Sequence, residues 1–271
     1  MKFDPSRVLA TVSELCDSRF SSPDGELQIA DLVSIRLAGA GWDSERIEVS
    51  VPTGRIKAVR SPVIVARRPL ENPPSLRVVI HAPLRRKAPE AFRTRLAGYV
   101  KSLLGQQAEA DSDFLLTPGD VGGIAMVLEL ARSWPKSWSR RFELVLAVTI
   151  SQPSSSEGSY AIAHEFDPVR TGVPTLVIPL FATGVGRDLI LVGGRSRELA
   201  LASAASLWIP VSPIDSKSML RRFWPATMSQ TFPDHVASIG GDIEKESSQP
   251  LNADALQRTA DLIAEIALRW S

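Results

Sequence analysis

Residues 117–134 read TPGDVGGIAMVLELARSW and carry the most specific pattern of the chain. From Gly123 onward the apolar side chains recur at the spacing of one face of an α-helix. They are Ile124, Val127, Leu128 and Ala131. A polar turn precedes this helix, and its acidic residue is Asp120. Since the N-terminus of a helix is the positive end of its dipole, Asp120 is predicted to be the N-cap, with a metal ligand as the alternative.

The hydrophobic pattern alternates between helical and strand-like segments on either side of this helix. Further helices are predicted at 5–16, 25–38, 88–104, 158–165, 195–207 and 252–270. Short β-branched runs predict strands at 46–51, 62–67, 76–82, 142–150, 174–180 and 188–193, and near 235–239. The glycine-containing stretches 183–188 and 192–196 lack the spacing of a dinucleotide loop, and we interpret them as a hairpin joining two strands.

Apolar strands that alternate with amphipathic helices are typical of a sheet covered on both faces. The predicted fold class is therefore α/β, with a mixed, mostly parallel sheet between two helical layers. No linker divides the chain, so residues 1–271 are predicted to form a single three-layer domain.

Composition and charge exclude several functional classes. Hydrophobic residues make up 44% of the chain and charged residues 23%, which is typical of a globular protein. A net charge of +1 gives no field that would attract nucleic acid or an anionic membrane. The N-terminal residues lack the apolar run of a signal peptide, so a cytoplasmic location is expected. The single cysteine, Cys16, is predicted to be a small core residue.

Four stretches stand out in this order of elements: RLAGAGWDSERIEV at 36–49, RVVIHAP at 77–83, GGIAMVLELAR at 122–132 and GSY at 158–160. In these stretches and in the order of its elements the chain resembles the zinc aminopeptidases, a family that includes glutaminyl cyclases and the peptidase-like domain of the transferrin receptor. The resemblance spans nearly the whole chain and implies the fold of a zinc exopeptidase.

The resemblance also implies a site of two zinc ions bridged by an aspartate, with a glutamate base that activates water. The family's His-x-Asp motif matches His81, but Pro83 stands in place of the acid. Counting back from Gly123 puts Pro118 at the bridging aspartate. The family's glutamate pair falls on Gln152 and Pro153.

The remaining zinc ligands of the family are also poorly matched. The aspartate that ends the next strand would fall near Leu180 and Phe181, which are apolar. The last histidine has His235 as its candidate, although a surface loop is the simpler interpretation. The resemblance therefore implies a degenerate member that binds no metal or other cofactor and lacks metallo-aminopeptidase activity.

Two functional hypotheses follow from these residues. In the first, the protein is non-catalytic and uses the former active-site cleft, or another surface, to bind a peptide or protein. In the second, the cleft is a repurposed enzyme site, either metal-independent or mononuclear, for hydrolysis, cyclisation or acyl transfer. Nucleic acid and membrane partners are not expected, and a homo-oligomer is compatible with both hypotheses. The candidate cleft-lining residues are His81, Pro83, Pro118, Asp120, Gln152, Ser155, Glu157 and His235.

Overall fold

The computed structural model describes most of the chain, with several internal gaps. The described residues are 1–17, 20, 25–52, 58–70, 72–84, 116–150, 161–162, 164–181, 183–187, 189–192, 196–214, 239–240 and 250–271. The predicted helix 88–104 lies outside them, as do residues 158–160 and 163 of the predicted helix 158–165.

The elements follow the predicted order closely. The helices are α1 (Pro5–Leu15), α2 (Gly25–Gly39), α3 (Pro118–Ser133), α4 (Pro168–Thr171), α5 (Arg197–Ser206) and α6 (Ala253–Trp270). The strands are β1 (Asp43–Pro52), β2 (Ala58–Arg67), β3 (Arg77–Pro83), β4 (Glu143–Thr149), β5 (Thr175–Phe181), β6 (Leu189–Val192), β7 (Val211–Ile214) and β8 (Ile239–Gly240).

The eight described strands form one mixed sheet in the order β1-β2-β4-β3-β5-β8-β6-β7. The pairs β4–β3, β3–β5, β5–β8 and β6–β7 are parallel. The pairs β1–β2, β2–β4 and β8–β6 are antiparallel. Because β3, β4 and β5 are parallel, their carboxyl ends meet at the same edge of the sheet.

Apolar side chains cover both faces of the sheet. The larger cluster lies on one face and joins the sheet to α1, α2, α3, α5 and α6. On the other face, Ile162 and Phe166 pack against strand residues such as Val79, Val145 and Val177. The predicted mixed α/β fold is confirmed.

The central helix α3 is buried over most of its length, since every residue from Gly119 to Ala131 is buried. Gly122 is required by packing, because a Cβ atom added there would lie 2.6 Å from the carbonyl oxygen of Thr183. On its outer side α3 packs against α1, and the backbone N–H of Asp4 donates to Oε1 of Glu129 over 3.3 Å.

One prediction about the second half of the sheet is wrong, and one strand was not predicted. The glycine-containing stretch 183–188 does not join β5 and β6 as a hairpin, because β8 lies between these strands and pairs with both. Strand β7 was not predicted, since VSPI is short and contains a proline.

Candidate functional site

His81 lies near the carboxyl end of β3 and is almost fully buried, with 1% of its surface exposed. Its Nε2 is 3.1 Å from Oγ1 of Thr149, which ends the neighbouring strand β4. Its Nδ1 has no hydrogen-bond partner among the described residues. Burial lowers the pKa of His81 from 6.5 to about 3, so the imidazole is neutral at physiological pH.

Asp120 is not the N-cap of α3, which corrects the prediction. The N-cap is Thr117, and Asp120 is the third residue of the helix. The backbone N–H of Thr117 donates to Oδ2 of Asp120 over 2.9 Å, and the Thr117 hydroxyl donates to the same oxygen over 2.5 Å. The carboxylate thus belongs to a capping box, and Pro118 occupies the first helical position, where its missing N–H has no cost.

The structure does not bring Asp120 and His81 together. Successive side chains of a strand point to opposite faces. Ala82 faces α3, since a Cβ atom on Gly123 would lie 3.4 Å from that of Ala82, and His81 therefore faces the other side of the sheet. Asp120 is near α1, where burial first and its negative charge second raise the pKa of Cys16 to about 11. Cys16 itself is half-buried and packs against the main core.

The end of β3 lies beside the start of α3. Position 123 lies against both Ala82 and Leu180, so α3 begins beside β3 and β5. Pro83 and Pro118 are half-buried at this end of the sheet, and Pro83 pairs with Thr149. The other predicted cleft residues, Gln152, Ser155, Glu157 and His235, lie outside the described residues.

The described residues do not fit a two-zinc centre. In the described parts of the chain, no group of three or more His, Cys, Asp or Glu side chains is placed so that it could hold a metal ion. His81 is enclosed beside Thr149, and Asp120 is engaged by Thr117 on the opposite face. Leu180 and Phe181, near which the resemblance would place the fourth zinc ligand, are buried apolar residues.

A cavity that was not predicted from the sequence lies at the other end of the strands, away from the carboxyl ends of β3, β4 and β5. It has a volume of about 580 Å³. Its walls come from the start of β1, the end of β2, the following proline-rich stretch and the first residue of β4. They are Asp43, Ser44, Glu45, Val65, Arg67, Arg68, Pro69, Leu70, Asn72, Pro73, Pro74 and Glu143. The run RRPLENPP at 67–74 could have indicated this cavity in the sequence, because paired arginines before prolines are typical of an irregular, charged segment.

Two residues that line this cavity, Glu143 and Arg67, are in ion pairs. Nε of Arg77 lies 2.5 Å from Oε2 of the buried Glu143, and Nη2 of Arg67 lies 2.7 Å from Glu165. The guanidinium groups of Arg67 and Arg77 each lie 5.2 Å from the centre of the Phe166 ring. Because the guanidinium groups of Arg67 and Arg77 already have anionic and aromatic partners, we interpret them as groups that stabilise the fold.

Within the described residues, no helix combines the length and apolar character needed to cross a membrane.

Solved structures of glutaminyl cyclases and zinc-dependent exopeptidases share this fold over nearly their whole length. The chain is 12% identical to the glutaminyl cyclase of Porphyromonas gingivalis, with a TM-score of 0.68 and 99% of each chain covered. It is 13% identical to a Zn-dependent exopeptidase from Parabacteroides distasonis, with a TM-score of 0.66 and 98% of each chain covered. A leucine aminopeptidase precursor from Bacteroides thetaiotaomicron gives 12% identity, a TM-score of 0.65 and coverage of 98% of this chain and 97% of that one.

The chain therefore has the mixed α/β fold of glutaminyl cyclases and zinc exopeptidases. No family model and no curated protein matches it. Identities of 12–13% show a shared fold only. The function of this chain depends on its own site residues.

Proposed function

We propose that this protein is a non-catalytic relative of the zinc exopeptidases that uses the former active-site cleft to bind a peptide or protein. The observation that carries the proposal is the state of His81, which is buried, neutral and hydrogen-bonded to Thr149. Pro83 and Pro118 stand at positions where the family would supply carboxylates. Without those carboxylates, the charge of two divalent cations would not be neutralised.

A cleft of this composition favours a particular kind of ligand. Of the candidate lining residues, Pro83, Pro118, Gln152 and Ser155 are neutral, and Glu157 is acidic. Removing carboxylates from an exopeptidase cleft weakens its attraction for a free α-amino group. Peptide segments that offer apolar groups and backbone hydrogen bonds are therefore the proposed ligands. A cytoplasmic location belongs to the same proposal.

A second function is favoured by one feature of His81. Its Nδ1 lacks a partner among the described residues. Its Nε2 contacts Thr149 at the end of β4, after which the sequence runs into the Ser- and Glu-containing residues 152–157. A neutral imidazole can transfer a proton without any metal ion. The alternative is a metal-independent hydrolase, cyclase or acyl-transfer enzyme that uses His81 with Ser155 or Glu157.

Metal content and turnover separate the two functions. Purified full-length protein is dialysed against zinc, analysed for bound metal, and assayed on amino-acid amides and on peptides with N-terminal glutamine. The non-catalytic function predicts no stoichiometric zinc and no turnover of either substrate. Stoichiometric zinc would contradict the proposal, whereas turnover without zinc that is lost in His81→Asn would establish the alternative.

Binding is tested with a panel of neutral, N-acetylated peptide amides and the variants Gln152→Trp and Ser155→Trp. We expect these bulky side chains to weaken peptide binding without lowering the melting temperature much. The matched control is Ala202→Trp, at an exposed position on α5. If Ala202→Trp abolished binding while both cleft variants kept it, the ligand would bind another face.

A further inference from the structure

Strand β1 forms one edge of the sheet. Among the described strands it hydrogen-bonds to β2 alone, and the pairing continues over all ten residues from Asp43 to Pro52. The outer side of such a strand presents a row of backbone N–H and C=O groups that can pair with another strand. A ten-residue edge is long by comparison with the usual five or six residues of a strand.

The side chains near the middle of β1 are complementary to a second copy of the same strand. Arg46 and Glu48 are exposed, and Ile47 between them is half-buried. Suppose that β1 of a second copy runs antiparallel along the side of β1 that no described strand pairs with, and that Ile47 faces Ile47. Arg46 of each copy then faces Glu48 of the other. Opposite charges at directly paired positions stabilise antiparallel strands, and like charges destabilise them.

Helix α2 carries an exposed apolar side chain, Ile35, near the middle of β1. It packs over β1 and β2, and Nη1 of Arg46 lies 3.0 Å from Oδ1 of Asp31 on α2. One turn further along the helix, Ile35 is 69% exposed. A large apolar side chain with that exposure therefore lies close to the centre of the strand edge.

The spacing of the layers also fits a two-fold arrangement. Neighbouring strands are about 4.8 Å apart, so an axis beside β1 lies about one strand spacing from α2. The two α2 helices would then lie about 10 Å apart, close to the 8–10 Å of packed helices. Ile35 of each copy would be covered by the other.

We propose that this chain forms a homodimer in which β1 pairs antiparallel with β1 of a second copy, producing a continuous sheet with the α2 helices packed above it. The interface is isologous, because the same residues contact each other across the axis. This proposal does not depend on the function of the cleft, since β1 lies at the sheet edge and the cleft at the ends of β3, β4 and β5.

Analytical ultracentrifugation of the full chain tests the dimer. We expect a mass twice the 29.4 kDa of one chain. A wild-type protein that remains monomeric at its highest soluble concentration would overturn the proposal.

Charge reversal tests the register of the two strands. Arg46→Glu and Glu48→Arg should each weaken dimerisation roughly tenfold or more, since two like-charge contacts replace two opposite-charge ones. The double variant Arg46→Glu/Glu48→Arg should restore the dimer, which a merely structural effect of the single changes would not do. Single variants that remain as dimeric as the wild type, or a double variant that stays monomeric, would overturn this register.

Two further variants separate the interface from general surface effects. Ile35→Asp should weaken dimerisation because it puts a charge into the helix contact. Arg269→Glu reverses a charge in an exposed ion pair with Glu265 on α6 and should leave the dimer intact. Urea unfolding of every variant verifies that the monomer is folded, and loss of the dimer in Arg269→Glu alone would contradict the proposed interface.

Discussion

The buried imidazole of His81 links the stability of the fold to pH. Its pKa is about 3 in the folded chain and about 6.5 in an unfolded one, because burial disfavours the charged form. The unfolded state therefore binds more protons between these two values. The stabilising contribution is complete above pH ~6.5 and is lost as the pH falls toward 3, with a slope of up to ~1.4 kcal/mol per pH unit.

Urea unfolding at pH 7 and pH 5 measures this effect. Replacing His81 with asparagine should reduce the loss of unfolding free energy between the two pH values by about 1–2 kcal/mol. The control is His164→Asn, because the side chain of His164 is exposed. An unchanged pH dependence in His81→Asn would show that other groups account for the acid sensitivity.

Trp208 adopts a backbone conformation that normally suits glycine. Helices α2 and α5 end in the same way, with the N–H of Trp42 bonded to the carbonyl of Leu37 and the N–H of Ile209 bonded to that of Ala204. The left-handed position is occupied by Gly41, with φ +80°, in the first helix and by Trp208, with φ +54°, in the second. A side chain at such a position is strained, and Trp208 is 93% exposed, so packing offsets little of the strain.

We expect Trp208→Gly to raise the free energy of unfolding by about 1 kcal/mol, because relief of strain exceeds the greater freedom of glycine in the unfolded chain. Gly41→Ala should lower it by about 1 kcal/mol for the converse reason. Chemical denaturation of both variants checks these values. A destabilised Trp208→Gly would mean that the indole makes contacts that outweigh the backbone strain.

At the scale of elements, a single arginine joins the end of β2 to the end of α3. Arg68 donates to the carbonyl oxygens of Trp134, over 2.9 Å, and Ala131, over 3.1 Å. Its guanidinium lies 4.5 Å from the ring centre of Trp42, whose Nε1 also donates to Ala131. These contacts satisfy carbonyl groups that the helix leaves unpaired and place a cation at the negative end of its dipole.

Arg68→Lys should therefore destabilise the protein by about 1–2 kcal/mol, because lysine lacks the planar fork that reaches both carbonyls while stacking on an indole. The matched control is Arg141→Lys, since Arg141 is exposed and should tolerate the change. Equal unfolding midpoints for these two variants would rule out a special role for the Arg68 contacts.

The start of α3 shows how far local sequence rules reach. The helix was predicted from its apolar spacing. Its N-cap, however, was placed at Asp120, three residues after the true N-cap, Thr117. The stretch TPGD has Thr at the N-cap, Pro at the first helical position and Asp at the third, which is the pattern of a capping box. The cap was thus readable from the sequence, and weighing the preference of proline for the first helical position would have identified it.

At the scale of the whole molecule, the strand order could not be read from the sequence in the same way. Local patterns located β1 to β6, but β8 enters between β5 and β6 from a distant part of the chain. Only long-range packing decides such an insertion. The candidate site has the same difficulty, because the separation of His81 and Asp120 depends on which face of the sheet each side chain reaches.

Two parts of the sheet are joined by the short strand β8. The backbone of Ile239 and Gly240 pairs with β5 on one side and with β6 on the other. We expect β6 and β7 to open with a lower free energy than β3, β4 and β5, because few backbone bonds connect them to the centre. Native-state hydrogen exchange, resolved by peptide mass spectrometry, measures both values, and identical opening energies would show that the sheet unfolds as a single unit.

The difference in exposure between buried and exposed tryptophan side chains provides an intrinsic fluorescence probe. Trp42 and Trp134 are each only 2% exposed, whereas Trp208 projects into solvent at the end of α5. Acrylamide collides with an exposed indole and quenches its fluorescence, while buried rings are shielded. Adding the quencher should therefore reduce the emission of Trp208 before that of Trp42 and Trp134, and Trp208→Phe should weaken this early step.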